Sequence, residues 1–423
     1  MSLADPLVAA ERQIVSEHQL REQVINEEFK IWKKTVPLLY DTIHTHAMKW
    51  PLMAVQFLPK YTVSEDKNTI SVNLAIGTNT SGREQDLVQV VSLDLPSTFA
   101  PDFDEFAVSS SIPIPMNGSE SLFKVVHSWN HPGEVNKLQV SPDGESILTF
   151  DNQGTVHLFS SPEKPSVDFK FHDSEGYGLD WVSSTEFLSG ANDSKLALWD
   201  VVKPEAPKEK ILTHSAVIND ISFSRPSKYL FGSVSDDFST QIHDIRAINQ
   251  SPVIKITNNH VANAISFHPS VSSLFATAGK DNVVKLYDAR NVNEPIRLLF
   301  GHNDSVVGLT WDADNEPNLL HSWGLDKRVI TWDLNYLGEE YTYPTSESSD
   351  SKRKTRHMED PCLKFVHGGH TNRINDFSVH PTISNLYASV GDDTLLEVFK
   401  PKTLVEEDDQ KEDDNSDEAE TKE

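Results

Sequence analysis

The chain holds one cysteine in 423 residues, Cys362, so no disulfide can close within it and a reducing compartment is expected. No apolar run approaches the ~20 residues that a membrane-spanning helix needs. Met1 to Ala10 also lacks the basic start of a secretory signal, so the sequence predicts a soluble, intracellular protein without membrane contact. Positive charge is scarce: 37 Lys and Arg stand against 64 Asp and Glu, for a formal net charge of -27. Such a field disfavours direct contact with nucleic acid and steers basic partners inward. Absent as well are a glycine-rich phosphate loop, a nucleophile elbow and a Cys/His metal spacing, so neither catalysis nor a cofactor nor a metal is expected.

What the chain has is a repeat. His131, His172, His214, His260, His302 and His370 each open a similar segment, and a period of about 42 residues marks a β-propeller. An alternating apolar run follows each histidine, then Ser or Thr, then an acid four residues on and an aromatic six beyond that. The set reads Ser189/Asp193/Trp199, Ser233/Asp237/His243, Thr277/Asp281/Tyr287, Ser322/Asp326/Trp332 and Ser389/Asp393/Phe399, with Thr149/Gln153/Phe159 as a degenerate copy. Trp199-Asp200 and Trp332-Asp333 complete the WD signature.

One segment illustrates the blade. Ala262 to Phe267, Leu274 to Ala278 and Val283 to Tyr287 read as short strands with Pro295 to Phe300 as a fourth, joined by turn-forming residues. In WD repeats the His, Ser/Thr, Asp and Trp side chains form a hydrogen-bonded chain inside the blade. Recurring His, Asp and Ser are therefore structural here, since one protein does not need five active sites. Six histidine segments plus residues 50–128, which supply strands without the histidine, predict an all-β fold with seven blades. Which strand closes the ring stays open, with His44 to Trp50 as a candidate.

Three segments lie outside the plain repeat. Residues 1–43 read as a helical segment packed on the propeller, with Val8, Ile14, Val15, Val24, Ile25, Phe29, Ile31 and Trp32 at three and four spacings. Pro37 is expected to kink or end that helix, leaving Leu38, Leu39, Tyr40 and Ile43 beyond it. Within a propeller at 44–404, residues 337–362 form an insertion whose basic cluster Lys352, Arg353, Lys354, Arg356 has the composition of a nuclear-import signal. Residues 405–423 form an acidic tail expected to be disordered: from Glu406 onward, eleven acids stand against two lysines.

The stretch from Val24 to Lys34, Pro37-Leu38-Leu39-Tyr40-Asp41, Thr45-His46-Ala47-Met48-Lys49-Trp50-Pro51, Gly77 to Ser81, Glu175 to Leu179, Leu230 to Val234 and His367-Gly368-Gly369-His370 resemble the retinoblastoma-binding type of WD-repeat histone chaperones. The likeness covers about residues 22–400. It implies a non-catalytic subunit that binds histones for other machines: the type B histone acetyltransferase, a chromatin assembly factor, or deacetylase or methyltransferase complexes. It also implies an H4 groove between the N-terminal helix and the insertion. Leu38, Leu39, Ile43, Phe365 and Val366 would form its floor, and Glu359 and Asp360 its acidic rim. A second site for the H3 tail, on the wide face over the central channel, would use Glu134, Asn136, Glu175, Tyr177, Asp236 and Asp392. The sequence departs from the family here: Asn219 and Ser305 stand where the family has Glu, and Val307 replaces an aromatic. Poor or altered binding on this face is expected.

The expected function is thus a histone-binding regulatory subunit of the type B histone acetyltransferase, in nucleus and cytoplasm, with H4, H3 and a catalytic acetyltransferase subunit as partners. A chromatin assembly factor or deacetylase subunit is the runner-up. A general WD-repeat scaffold, such as a ubiquitin-ligase substrate receptor, is more distant because it would not need the paired helix and Gly-Gly-His loop.

Overall fold

The computed structural model describes residues 6–65, 67–101, 123–160, 164–247, 251–313, 315–339, 341 and 360–402, with helix side chains at residue 20 and from residue 22 onward. A long helix, α1 (Pro6–Leu39), leads into strand β1 (Tyr40–Ala47), and seven four-stranded antiparallel sheets follow. The expected seven-bladed propeller is what the chain forms. The ring closes where β1 pairs with Leu395–Pro401 as the outer strand of blade 7, so the two ends of the propeller share one sheet. The boundary expected after residue 43 falls inside this strand. Among the described residues, no helix is long and apolar enough to cross a membrane.

Apolar side chains from adjacent blades interlock. Leu52, Ile70, Val72 and Leu74 of blade 1 pack with Leu386, Val390, Leu396 and Val398 of blade 7, all fully buried. Polar bridges then cross the seams: Asp376 and Ser378 accept from the backbone N–H groups of Val55 and Phe57, and Asp180 and Asp220 do the same for Phe223 and Ile265. Lys137 sits amid these channel carboxylates, 3.8 Å from Asp376. Burial alone would lower its pKa, but Asp376, Asp220 and Asp180 outweigh it and hold the ammonium above its usual range. Burial pushes Asp220 up to about 6.

The histidine relays form in most blades. In blade 3, His172 Nε2 meets Ser189 Oγ at 2.8 Å, Trp199 donates to the same oxygen at 2.9 Å, and Asp193 holds the other ring nitrogen at 3.1 Å. Blade 6 repeats this with His302, Ser322, Trp332 and Asp326. Blade 5 is the exception and corrects the repeat reading. His260 is solvent-exposed, and Asp281 pairs with Lys285 instead, because a cation four residues along the hairpin offers that carboxylate a nearer partner.

Two backbone features recur and matter for the surface. Each turn after the acid places a residue in left-handed backbone: Ser194, Phe238, Asn282, Lys327, Thr394 and Gly154, with φ between 51 and 89°. Each inner strand also opens with a β-bulge, at Leu52/Ala54, Val135/Lys137, Gly176/Gly178, Ile218/Asp220, Ala262/Ala264, Val306/Gly308 and Ile374/Asp376. The residue left unpaired is Met53, Asn136, Tyr177, Asn219, Asn263, Val307 or Asn375. A bulge re-aims a side chain, and here all seven line the central channel.

The helix runs through Pro37 rather than stopping before it. In the last turn proline removes one backbone donor, and the helix closes two residues later. Lys402 completes that end: its ammonium donates to the Pro37 carbonyl at 2.8 Å and its backbone N–H to that of Leu39 at 2.9 Å, satisfying carbonyls a helix terminus otherwise leaves free.

Candidate functional site

The helix has two apolar stripes. Ile25, Phe29, Trp32 and Val36 recur at three and four spacings and face the propeller, where Trp32 and Val36 pack on the cluster of Tyr40, Trp323, Val329, Phe377 and Phe399. Leu20, Val24 and Leu38 are 63, 49 and 71 % exposed, and Ile31, 62 % exposed, borders the cleft beside α1. Between helix and propeller runs a cleft of about 280 Å³, whose lining includes Ile25, Phe29, Trp32, Asp326, Arg328 and Val366.

One chain of polar contacts ties the helix to this wall. Trp32 Nε1–H donates to the Tyr40 hydroxyl at 3.0 Å, which lies 2.8 Å from Nδ1 of His367. His367 Nε2 faces Glu397 Oε2 at 2.9 Å, and Glu397 Oε1 accepts from Thr45 at 3.1 Å. Phe399 stands where two other blades carry tryptophan, and the His367 ring stacks on it at 3.9 Å and 9°. His367, His370 and Glu397 are close enough to suggest a metal site. Their atoms are engaged otherwise: His370 is held by Asp393 and Ser389, and His367 lies between Tyr40 and Glu397.

The structure brings together part of the expected floor. Phe365 meets Tyr40 edge-on at 5.4 Å, and Ile43 joins the same cluster. Val366 lines the cleft, while Leu38 and Leu39 end the helix, 71 and 39 % exposed. Glu359 lies outside the described residues. Asp360 corrects the expected rim: its carboxylate is fully buried and pairs with Arg297 at 3.2 Å while accepting from the Cys362 N–H. It is a structural anchor for the insertion's exit, because a buried guanidinium needs an anion. Sequence reasoning left Ile25, Phe29, Trp32, Tyr40, His367 and Glu397 out of the site. The first three were legible as one helix face, whereas the last three meet only through the ring closure.

The wide face is built differently. Its acids are engaged by their neighbours: Glu134 by Asn79 at 3.0 Å, Glu175 by Asn192 at 3.0 Å, and Asp236 by Asn219 at 2.9 Å. Asp392 takes Asn375 at 2.8 Å and Arg373 at 2.6 Å. Asn136 is buried, and no partner meets its Nδ2. Burial, with Glu175 and Glu134 nearby, raises the Tyr177 pKa. Of these, Asn136, Tyr177, Asn219, Arg373 and Asn375 line a channel of about 700 Å³.

Repeated four-stranded blades, internal His–Ser–Trp relays and a docked helix define a WD-repeat β-propeller. The family model for the histone-binding protein RBBP4 and its counterpart in the CAF1 complex, which covers the H4-binding region, matches residues 27–97, and the WD domain, G-beta repeat matches 251–288. Proteins named histone acetyltransferase type B subunit 2 are similar along nearly the whole length. The one from Schizosaccharomyces pombe is 34 % identical over 91 % of this chain and 92 % of its own. That from Candida glabrata is 31 % identical over 92 % of each, and that from Eremothecium gossypii 28 % over 89 % of this chain and 85 % of its own. The chain belongs to the histone acetyltransferase type B subunit 2 family of WD-repeat proteins.

Proposed function

We propose that this protein is the non-catalytic, histone-binding subunit of a type B histone acetyltransferase, and that the cleft between α1 and blades 6 and 7 takes a helix of histone H4. One observation carries this reading. Residues 27–97, matched by the histone-binding family model, begin in the C-terminal part of α1 and continue through β1, the segment that supplies Phe29 and Trp32 to the cleft and Tyr40 behind it. An amphipathic helix laid in an apolar groove is a recurrent mode of recognition, and the acidic chain suits a basic ligand. Catalysis lies in a partner protein. Holding H4 here raises the concentration of its tail near that partner's active site.

The protein works in nucleus and cytoplasm on this reading, and H3 is a secondary partner at the wide face. Membership of a chromatin assembly factor is the second reading, favoured by the CAF1 complex that the matched family's description names. Affinity purification with identification of partners separates the two. A catalytic acetyltransferase subunit is expected, and recovery of assembly-factor subunits alone overturns the first reading. Titration with an H4 helix peptide tests the groove directly, where absence of saturable binding removes it.

A further inference from the structure

We propose that His367 and Glu397 are positioning residues for the groove, holding α1 in place through Tyr40 and Trp32 only while His367 is neutral. The inference rests on the reading that this groove binds H4.

The direction of the chain fixes the protons. An indole N–H can only donate, so the Tyr40 oxygen accepts from Trp32 and its own proton goes to Nδ1 of His367. Nδ1 is then the acceptor of the ring and the proton sits on Nε2, which faces the Glu397 carboxylate at 2.9 Å, outside the best hydrogen-bond angles. Glu397 is 1 % exposed and also accepts from Thr45. The arrangement that gives the Trp32 and Tyr40 protons an acceptor each has Nδ1 accepting and the ring proton on Nε2, beside the carboxylate.

A second proton on His367 would set an Nδ1–H against the Tyr40 O–H. Tyr40 is 4 % exposed, and its other close neighbours are the rings of Phe365 and Phe399, which take no hydrogen bond of comparable strength. The hydroxyl proton would have to turn away toward the aromatic rings and lose its acceptor; the oxygen could still accept from Trp32, but only with a buried O–H left unmet, which weakens the packing that holds α1. The charged groups around His367 are Glu397 from Leu395–Pro401, and His370 and Asp393 from the loop and turn of blade 7. Glu28 from α1 and Asp326, Lys327 and Arg328 from blade 6 line the cleft beside it. Burial lowers the His367 pKa, with His370 adding to the effect and Glu397 opposing it. Docking is thus favoured above the ordinary histidine value of 6.5 and declines as pH falls below it.

The test measures two quantities on the full chain from pH 7.5 to about 5: affinity for an H4 helix peptide, and hydrogen exchange in residues 25–36. Wild type is expected to lose affinity about tenfold while α1 loses protection over the same range. Glu397→Gln removes the charge that favours the imidazolium, so its acid transition moves to lower pH. His367→Gln cannot titrate, and its profile is flat across the histidine range. An unchanged acid response in His367→Gln, or α1 exchange in wild type that ignores pH, overturns the relay. If exchange follows the variants as expected but H4 affinity does not, the relay stands and the groove is not where H4 binds.

Discussion

The cleft beside α1 and the wide face over the channel both descend from the same family resemblance, yet they are built on opposite principles. The cleft sets apolar Ile25, Phe29, Trp32 and Val366 beside charged Glu28, Asp326, Lys327 and Arg328, and behind it one chain of polar contacts runs from Trp32 to Glu397 and anchors the helix. The wide face is polar, and its carboxylates are each engaged by amides or by Arg373. In the first region internal bonding organises a surface that stays open to a ligand. In the second, internal bonding occupies the carboxylates themselves.

Asn219 makes the contrast concrete. Its amide donates to Asp236 and to the Ala262 carbonyl of the next blade. The bulge between Ile218 and Asp220 aims residue 219 into the channel, where its amide is taken up internally.

The largest effect that would break this comparison falls on Asp360. Asp360→Ala leaves Arg297 buried without its carboxylate and should cost about 3 kcal/mol or more of stability, whereas Asp236→Ala on the wide face should change stability by only about 0.5 kcal/mol. Urea denaturation of both variants measures it, and equal losses would mean the two acids are not differently employed. Next comes the groove itself: Phe29→Ala with Val366→Ala, both lining the cleft, should lose roughly 2 kcal/mol of H4 affinity, read by calorimetric titration with the stability of the variant checked alongside. Unchanged affinity would leave the cleft without a role in binding.

Smaller changes sharpen the difference. Asn219→Glu frees Asp236 and adds an acid at the mouth, so a basic H3 tail peptide should bind more tightly by about 1 kcal/mol, with a stronger salt dependence. No gain would show that the missing charge is not what limits the face. The smallest effect concerns Phe238, held at φ 63° and 47 % exposed in a turn where other blades place Ser, Asn, Lys, Thr or Gly. Phe238→Gly should relieve strain and raise stability by about 0.5 kcal/mol, seen as an increase in Tm, and a decrease would mean its ring packs on something that offsets the backbone cost.

Sequence by itself determined the propeller, because a blade is a local object: strand, turn and relay residues recur within about 42 positions, and the alternation of apolar residues fixes which face is buried. It also determined that α1 has an apolar face, since helical periodicity is read along a single element. Tertiary structure decided the rest. Glu397 meets His367 because the first strand closes on the last hairpin, Asp360 is an anchor because Arg297 of blade 5 reaches the insertion's exit, and His260 is left in solvent because Lys285 holds Asp281. Which partner a charged side chain takes depends on distances between segments far apart in the chain, and those distances exist only once the ring has closed.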